Sequence, residues 1–361
     1  MAEGDWVMLM FADVMSGRGR DNNFLVIRLL AATAVVVGHS YALSYRECAS
    51  CSDPALWLGL PVPVHSLGVE VFFMLSGLLI TASGVSNSPR NFYLARALRI
   101  FPGLLVCLLL MAFVLGPLAT SLPLAEYLSQ RQVYRYVYSP LLVLKDAQFV
   151  LPGVSFTPRN YGISVNGSLW TIPLEMRMYL VLGLLVLVAR ACRWPMAGLT
   201  LAALLFALGL HTLHPAYAEY PFKLVVCFLA GSAFYSCRAL IPYGWWLLLA
   251  LVGLLLLSKG GRFEVFACAV LTLYGTLYFA YCPQLKLPPW VQDYSYGIYL
   301  YAFPIQQVLA EAMPWAGPYW LMLAAVPASW LAGYVSWELV EKPALAMRKR
   351  FSKANPQQQL A

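Results

Sequence analysis

Arg28 and His39 interrupt an otherwise apolar run from Phe24 to Leu43. They stand eleven residues apart, three turns of helix, so they share one face and are separated by about 16 Å along it. A histidine with an ordinary pKa of about 6.5 can take a proton from a hydroxyl at neutral pH. A buried histidine hydrogen-bonded to a neighbouring helix is the competing role. Glu70, Phe73 and Gly77 fall on one face of the next apolar stretch, where Glu70 is placed to orient His39 or to pair with an arginine. Ser76 and Gly77 permit close helix approach. Arg96 and Arg99 lie one turn apart, just ahead of Ile100-Phe101-Pro102. Two guanidiniums so spaced suit multidentate binding of phosphate, although a topology anchor needs no more than that. Glu175 and Tyr179 share a face at i, i+4, behind Trp170 and with Arg177 close by. An acid there can hold a base or an acceptor hydroxyl, or simply neutralise an arginine. Tyr299 belongs to the run Asp293 to Tyr301, whose tyrosines also suit an interfacial belt. The sequence has no Walker-type phosphate loop, GxSxG elbow or HExxH pair, and nothing in it argues for a metal.

Charges of this kind are costly inside a bilayer, and the composition places them there. Of 361 residues, 61% are hydrophobic and 11% charged, with mean hydropathy +0.68. Soluble domains are about 25% charged, so a soluble enzyme, a disordered chain and a disulfide scaffold are excluded. At about 20 apolar residues per span, the chain reads as an all-α bundle of about ten transmembrane helices. Their approximate limits are 24–43, 68–84, 98–118, 168–189, 195–212, 221–237, 242–258, 263–281, 295–313 and 318–340. The net charge of +8 fits cytoplasmic loops and anionic headgroups rather than nucleic acid. Most of the Lys and Arg residues fall on the side of the N-terminus. Of those opposite, Arg131, Arg135, Lys145 and Arg159 sit in one long loop, which weighs little. Both termini are therefore placed in the cytoplasm.

The expected organisation is a cytoplasmic segment 1–23, a transmembrane domain 24–343 and a basic cytoplasmic tail 344–361. Met15 would serve as a natural start, so residues 1–14 read as a dispensable extension. The extracytoplasmic loop 119–167, rich in tyrosine, reads as a lid or acceptor platform, or as a connection resting on the membrane. Six of the eight cysteines lie in or beside apolar runs and behave as buried hydrophobes. Cys48 and Cys51 form a CxxC in a polar loop, open to a local disulfide on the oxidising side. No internal repeat is visible, which counts against transporters built from inverted repeats.

The segments NNFLVIRLLAATAVVVGHS, GVEVFFMLSGLLI, RALRIFPGL, NGSLWTIPLEMRMYL, YSYGIYLYAFPIQQ and VEKPA follow one another from Asn22 to Ala344. In that order and spacing the chain resembles the acyltransferase-3 family of integral membrane O-acyltransferases, which modify bacterial surface glycans. An arginine and a histidine with ten residues between them are that family's signature, matched by Arg28 and His39. The resemblance implies acetyl-CoA or another acyl-CoA as donor from the cytoplasm. It implies a glycan or lipid-linked sugar as acceptor, and the bacterial inner membrane as location. Arg96 and Arg99 match the basic pair taken to hold the CoA phosphates, and Arg28 and Ser76 are assigned to the donor with them. Trp170, Glu175 and Tyr179 match the aromatic–acid motif; Trp170, Tyr179 and Tyr299 are assigned to substrate. His39 is then the base, with Glu70 or Glu175 orienting it. Many members carry a histidine where this chain has Tyr301-Ala302-Phe303-Pro304, so no second catalytic histidine is assigned. The additional extracytoplasmic domain of some members is also missing. A transporter of a small solute or anion, or a silent membrane scaffold, would use the same charges differently.

Overall fold

The computed structural model describes residues 9–18, 21–44, 53–143, 145–156, 162–213 and 220–352. Cys48, Cys51 and the last nine residues of the tail lie outside them. The fold is all-α. Its only β-type pairings among the described residues are two isolated bridges, Met10 with Pro242 and Thr120 with Val154.

Each of the ten expected spans coincides with a helix. We label α1 Phe11–Arg18, α2 Phe24–Ser44, α3 Val64–Ser86 and α4 Pro89–Leu110. After a polytopic gap come α5 Thr171–Cys192, α6 Met196–Leu213 and α7 Tyr220–Cys237. The last are α8 Trp245–Leu257, α9 Glu264–Ala280, α10 Ser295–Ala312 and α11 Pro318–Ser336. Among the described residues, six helical stretches are long and apolar enough to cross a membrane: α2, α3, Pro89–Ala119, Gly167–Cys192, α6 and α7. The protein is a multi-pass membrane protein. α8 and α9, at 13 and 17 residues, fall short of that length.

Helix starts differ most from the sequence reading. α4 begins nine residues before the expected 98, because Ser88 caps it and Pro89 occupies its first turn. Apolarity marks only the buried part of such a helix. Arg96 and Arg99 consequently sit on α4 itself rather than ahead of it.

Glycines set the central crossing. A Cβ on Gly77 would strike the Phe228 backbone of α7, and one on Gly231 would strike Met74 of α3. Gly68 lies against the Ala31 carbonyl of α2 in the same way. α3 is thus gripped between α2 and α7, and Gly77 works as a packing residue. α2 also packs against α10 and α11.

Two expectations change here. Residues 9–14 are built into the fold rather than appended to it. Phe11 is fully buried among Phe234, Tyr243, Tyr274 and Tyr281, and its N–H donates to the Ile241 carbonyl at 3.0 Å. An amphipathic patch too short to span has found a protein surface instead. The loop after α4 is also folded. It forms helices Leu124–Ser129 and Arg131–Tyr138, and its Tyr127 and Tyr136 are fully buried. Tyr127 donates to the Ala112 carbonyl at 2.7 Å. These two tyrosines are core, which removes them from any acceptor platform.

Candidate active site

α2, α3, α4, α5 and α10 enclose a cleft of about 860 Å³, its open mouth included. Its polar lining is Arg28, Ser76, Arg96, Arg99, Glu175 and Tyr179, with Thr171, Ser295, Tyr296 and Tyr299 beside them. Seven of the residues singled out by sequence therefore meet in one space: Arg28, Ser76, Arg96, Arg99, Glu175, Tyr179 and Tyr299. The remaining wall is apolar, from Phe72, Phe73, Leu79 and their neighbours. A narrow, mostly apolar pocket with convergent polar groups is what a small-molecule site looks like.

The mouth is an ionic lattice. Asp293, just before α10, accepts from Arg99 at 2.9 Å and lies 3.4 Å from Arg28. Arg99 also pairs with Glu341 at 3.1 Å, and that carboxylate is wholly buried. Ser336 donates to Glu341 at 3.0 Å, and Ser295 donates to Asp293 at 2.6 Å. Arg99 further stacks over Tyr296 and Trp337. Burial alone would raise the Asp293 carboxyl, but Arg99 and Arg28 together hold it below the ordinary aspartate value. Arg96 donates to Ser83 at 3.2 Å and lies over Phe92. Arg99 is thus not the bare phosphate clamp its spacing suggests. It is the centre of a network in which two guanidiniums, Arg28 and Arg99, share two carboxylates, Asp293 and Glu341, while Arg96 stands outside that network on the same cleft.

Deeper in the cleft, Glu175 accepts from Ser76 at 3.0 Å and from Tyr179. Tyr299 shares a 2.7 Å hydrogen bond with Thr171 and donates to the Ser168 carbonyl at 3.0 Å. Tyr179 and Tyr299 therefore belong to the same chamber as the arginines.

His39 does not line this cleft. It stands at the other end of α2, its ring centroid 5.3 Å from His65 of α3 and 5.3 Å from Phe303 of α10. The residue is half-buried, and its Nδ1 is buried without a partner among the described residues. Neither expected carboxylate bonds it. Glu70 is taken by Lys223 of α7 at 2.6 Å, and Glu175 by Ser76 and Tyr179. Trp170 stays at this end too, edge-on to Tyr220, whose hydroxyl donates to the Ser66 carbonyl at 3.1 Å. Phe72, Tyr299 and Phe303 lie between the two ends: Phe72 meets Tyr299 edge-on, and Phe303 is one turn beyond Tyr299 on α10.

Asp293, Glu341, His65 and Lys223 were not singled out from sequence. Asp293 and Glu341 lie outside the apolar cores where charge is conspicuous. His65 precedes the expected start of its span, and Lys223 reads as one more flanking cation.

Residues 22–337 match a family model described as an acyltransferase domain. An O-acetyl transferase of Shigella phage Sf6 is 30% identical over 340 residues, covering 90% of this chain and 96% of that protein. Nodulation protein 10 of Rhizobium leguminosarum bv. viciae is 27% identical over 374 residues, covering 91% and 95%. No solved structure matches.

Proposed function

The chain belongs to the acyltransferase-3 family, and from that premise we propose that it moves an acetyl group from cytoplasmic acetyl-CoA to a sugar hydroxyl of a lipid-linked or surface glycan. It is a membrane acyltransferase; the donor, the acceptor and the base are the proposal. The observation that carries it is the cleft itself, which gathers Arg28, Arg96 and Arg99 around one mouth at the opposite end of α2 from His39.

Polyphosphate of the donor docks at that mouth. Arg28 and Arg96 meet it first, and Arg99 supplies charge from within its carboxylate network. The apolar walls take the pantetheine arm, with Ser76, Glu175, Tyr179 and Tyr299 as its polar contacts. The thioester is carried past Phe72 towards His39. The acceptor sugar enters from the far side, where Trp170 offers a ring face to stack on, with Lys223 and Glu70 beside it. His39 takes the hydroxyl proton as the oxygen attacks the thioester carbonyl. The C–S bond breaks, the new ester C–O bond remains, and the imidazolium returns its proton to the departing thiolate. This reading sets the N-terminus, the basic tail and the arginine mouth on the cytoplasmic side of a bacterial inner membrane. About ten helices of 24–343 then form the transmembrane domain, with the folded loop at 119–167 outside.

The test is acetyl transfer in proteoliposomes, with radiolabelled acetyl-CoA on the arginine side and a crude extract of lipid-linked glycans as acceptor. Alkali-labile label formed by the wild type and lost in His39→Ala supports both donor and base. Equal labelling by His39→Ala removes the base. Failure of the wild type to bind acetyl-CoA removes the donor and returns the charges to a transport role.

A further inference from the structure

We infer that His65 is the positioning residue for His39: in the reacting geometry His39 Nδ1–H donates to His65 Nδ1, leaving His39 Nε2 free to accept the substrate proton. The inference rests on the proposal that His39 is the base.

A histidine base needs a partner on its other ring nitrogen, because that partner fixes the tautomer and the ring orientation. Neither expected carboxylate bonds His39. Glu70 gives Oε1 to Lys223, its Oε2 having no partner among the described residues, and Glu175 is bonded to Ser76 and Tyr179. Against the His39 ring stand Phe303, which presents only an aromatic edge, and His65. Among the described residues, both imidazoles have a buried Nδ1 without a partner. An unmade hydrogen bond on a buried nitrogen is expensive, and two such nitrogens on touching rings have one economical solution, a bond to each other. The rings are 5.3 Å apart between centroids and tilted by 34°. A direct N–H···N bond of about 2.9 Å spans a similar centroid separation, so the spacing of the two rings suits such a bond.

The backbone around His65 is arranged for this contact. The residue beside His39 is Gly38, and a Cβ there would meet the His65 backbone N at 2.6 Å, its Cβ at 2.7 Å and its Nδ1 at 2.9 Å. Any other residue at 38 would push His65 away. Asp53, itself 1% exposed, accepts from the Val64 N–H at 3.0 Å and from Ala55 at 2.9 Å, which pins the first turn of α3. His65 is the second residue of that helix. The positive end of the helix dipole favours its neutral form, and a neutral imidazole can accept through Nδ1. A neutral partner also avoids burying another charge in the bilayer, which a carboxylate at this position would do.

Three proteins separate this inference from the reading beneath it: His39→Ala, His65→Phe and His65→Asn, each reconstituted as the full chain and assayed with acetyl-CoA and the glycan extract. Phe keeps a ring and removes the acceptor nitrogen; Asn places its Oδ1 near the position of Nδ1. The expected result is a kcat lower by about 10- to 100-fold in His65→Phe, by analogy with other second-layer partners of functional histidines. The KM for acetyl-CoA stays unchanged, and His65→Asn recovers most of the loss. Wild-type kcat in His65→Phe beside a dead His39→Ala overturns the role of His65 and leaves the base in place. An active His39→Ala overturns the base, and with it this inference. A second measurement needs no variant. The chain has four histidines, and in 15N-histidine-labelled protein saturated with acetyl-CoA a scalar coupling between two Nδ1 resonances is expected across the hydrogen bond. Nδ1 resonances with no such coupling overturn the bond even if every variant misfolds.

Discussion

The two ends of helix α2 solve opposite problems with opposite chemistry. Around Arg28, charge is abundant and paired: Arg28, Arg99, Asp293 and Glu341 form one lattice, to whose carboxylates Ser295 and Ser336 donate, with Arg28 Nε left without a partner among the described residues. Around His39, the rings of His65 and Phe303 dominate and nitrogen valences are left open. Glu70 pairs with Lys223 rather than with His39. A lattice of fixed charges is preorganised to receive an anion, since its arginines are already held in place when the ligand arrives. Unfilled nitrogen valences are what a proton in transit requires. On the proposed function, binding and chemistry sit at separate ends of one face, three turns apart.

The largest expected effect lies at the histidine end. His39→Ala should lower kcat by about 10²–10⁴-fold, the usual worth of a general base, with acetyl-CoA binding intact in a filtration assay. If the donor KM rises as well, the division between the two ends breaks down. Arg99→Ala tests the other end. It strands Glu341, wholly buried, and leaves Asp293 with Arg28 as its cation. Breaking a buried pair on one side costs about 3–5 kcal/mol, so a fall in melting temperature should accompany weaker acetyl-CoA binding. Adding Glu341→Gln should restore part of the stability and none of the binding. Restoration of both would make Arg99 a structural residue only.

The separation was half visible in the sequence. The period of three turns put Arg28 and His39 on one face, and the apolar runs located all ten helices. The gathering of Ser76, Arg96, Glu175 and Tyr179 in a single cleft was legible only as separate charges with unassigned partners. Pairings between residues far apart in the chain, such as Arg99 with Glu341 and Lys223 with Glu70, depend on which helices touch, and hydrophobic periodicity does not encode neighbours. Asp293 and His65 were missed for a related reason. A polar residue at the end of a span is ordinary by composition, and only the contact with Arg28 or His39 makes it special. The docking of Phe11 was missed because a patch too short for the membrane has no visible destination until α7, α8 and α9 are assembled.

A third prediction sharpens the account of the Glu70–Lys223 pair. Lys223→Met leaves Glu70, 1% exposed, without its cation, and should destabilise the protein. Glu70→Gln alone leaves a lysine that is 11% exposed and should cost less. In the double variant Lys223→Met, Glu70→Gln, about 1–3 kcal/mol of the first loss should return, the usual penalty of an unpaired buried group. Thermal unfolding of the three proteins in detergent measures the cycle. If Glu70 instead orients His39, Glu70→Gln will reduce kcat as severely as the histidine variants.

The smallest effect separates the ionic mouth from the rest of the fold by pH. Asp293 is held below the ordinary aspartate value by Arg99 and Arg28, against the opposing effect of burial. A carboxylate with a depressed folded-state pKa contributes stability that is fully present above its unfolded value of about 3.9 and lost as pH falls through the folded one. Each unit of depression is worth about 1.4 kcal/mol. The melting temperature should therefore be level from pH 7 to pH 5 as far as this group is concerned, and its contribution should disappear only in stronger acid. Asp293→Asn supplies the comparator, because it cannot titrate. Wild type and variant should differ by a constant amount across the neutral range, and the two curves should converge below about pH 4. Convergence already at pH 5 to 6 would mean that the arginines do not hold the carboxylate. The mouth would then be an open basic surface rather than a preorganised lattice, and the contrast between the two ends of α2 would lose its charged half.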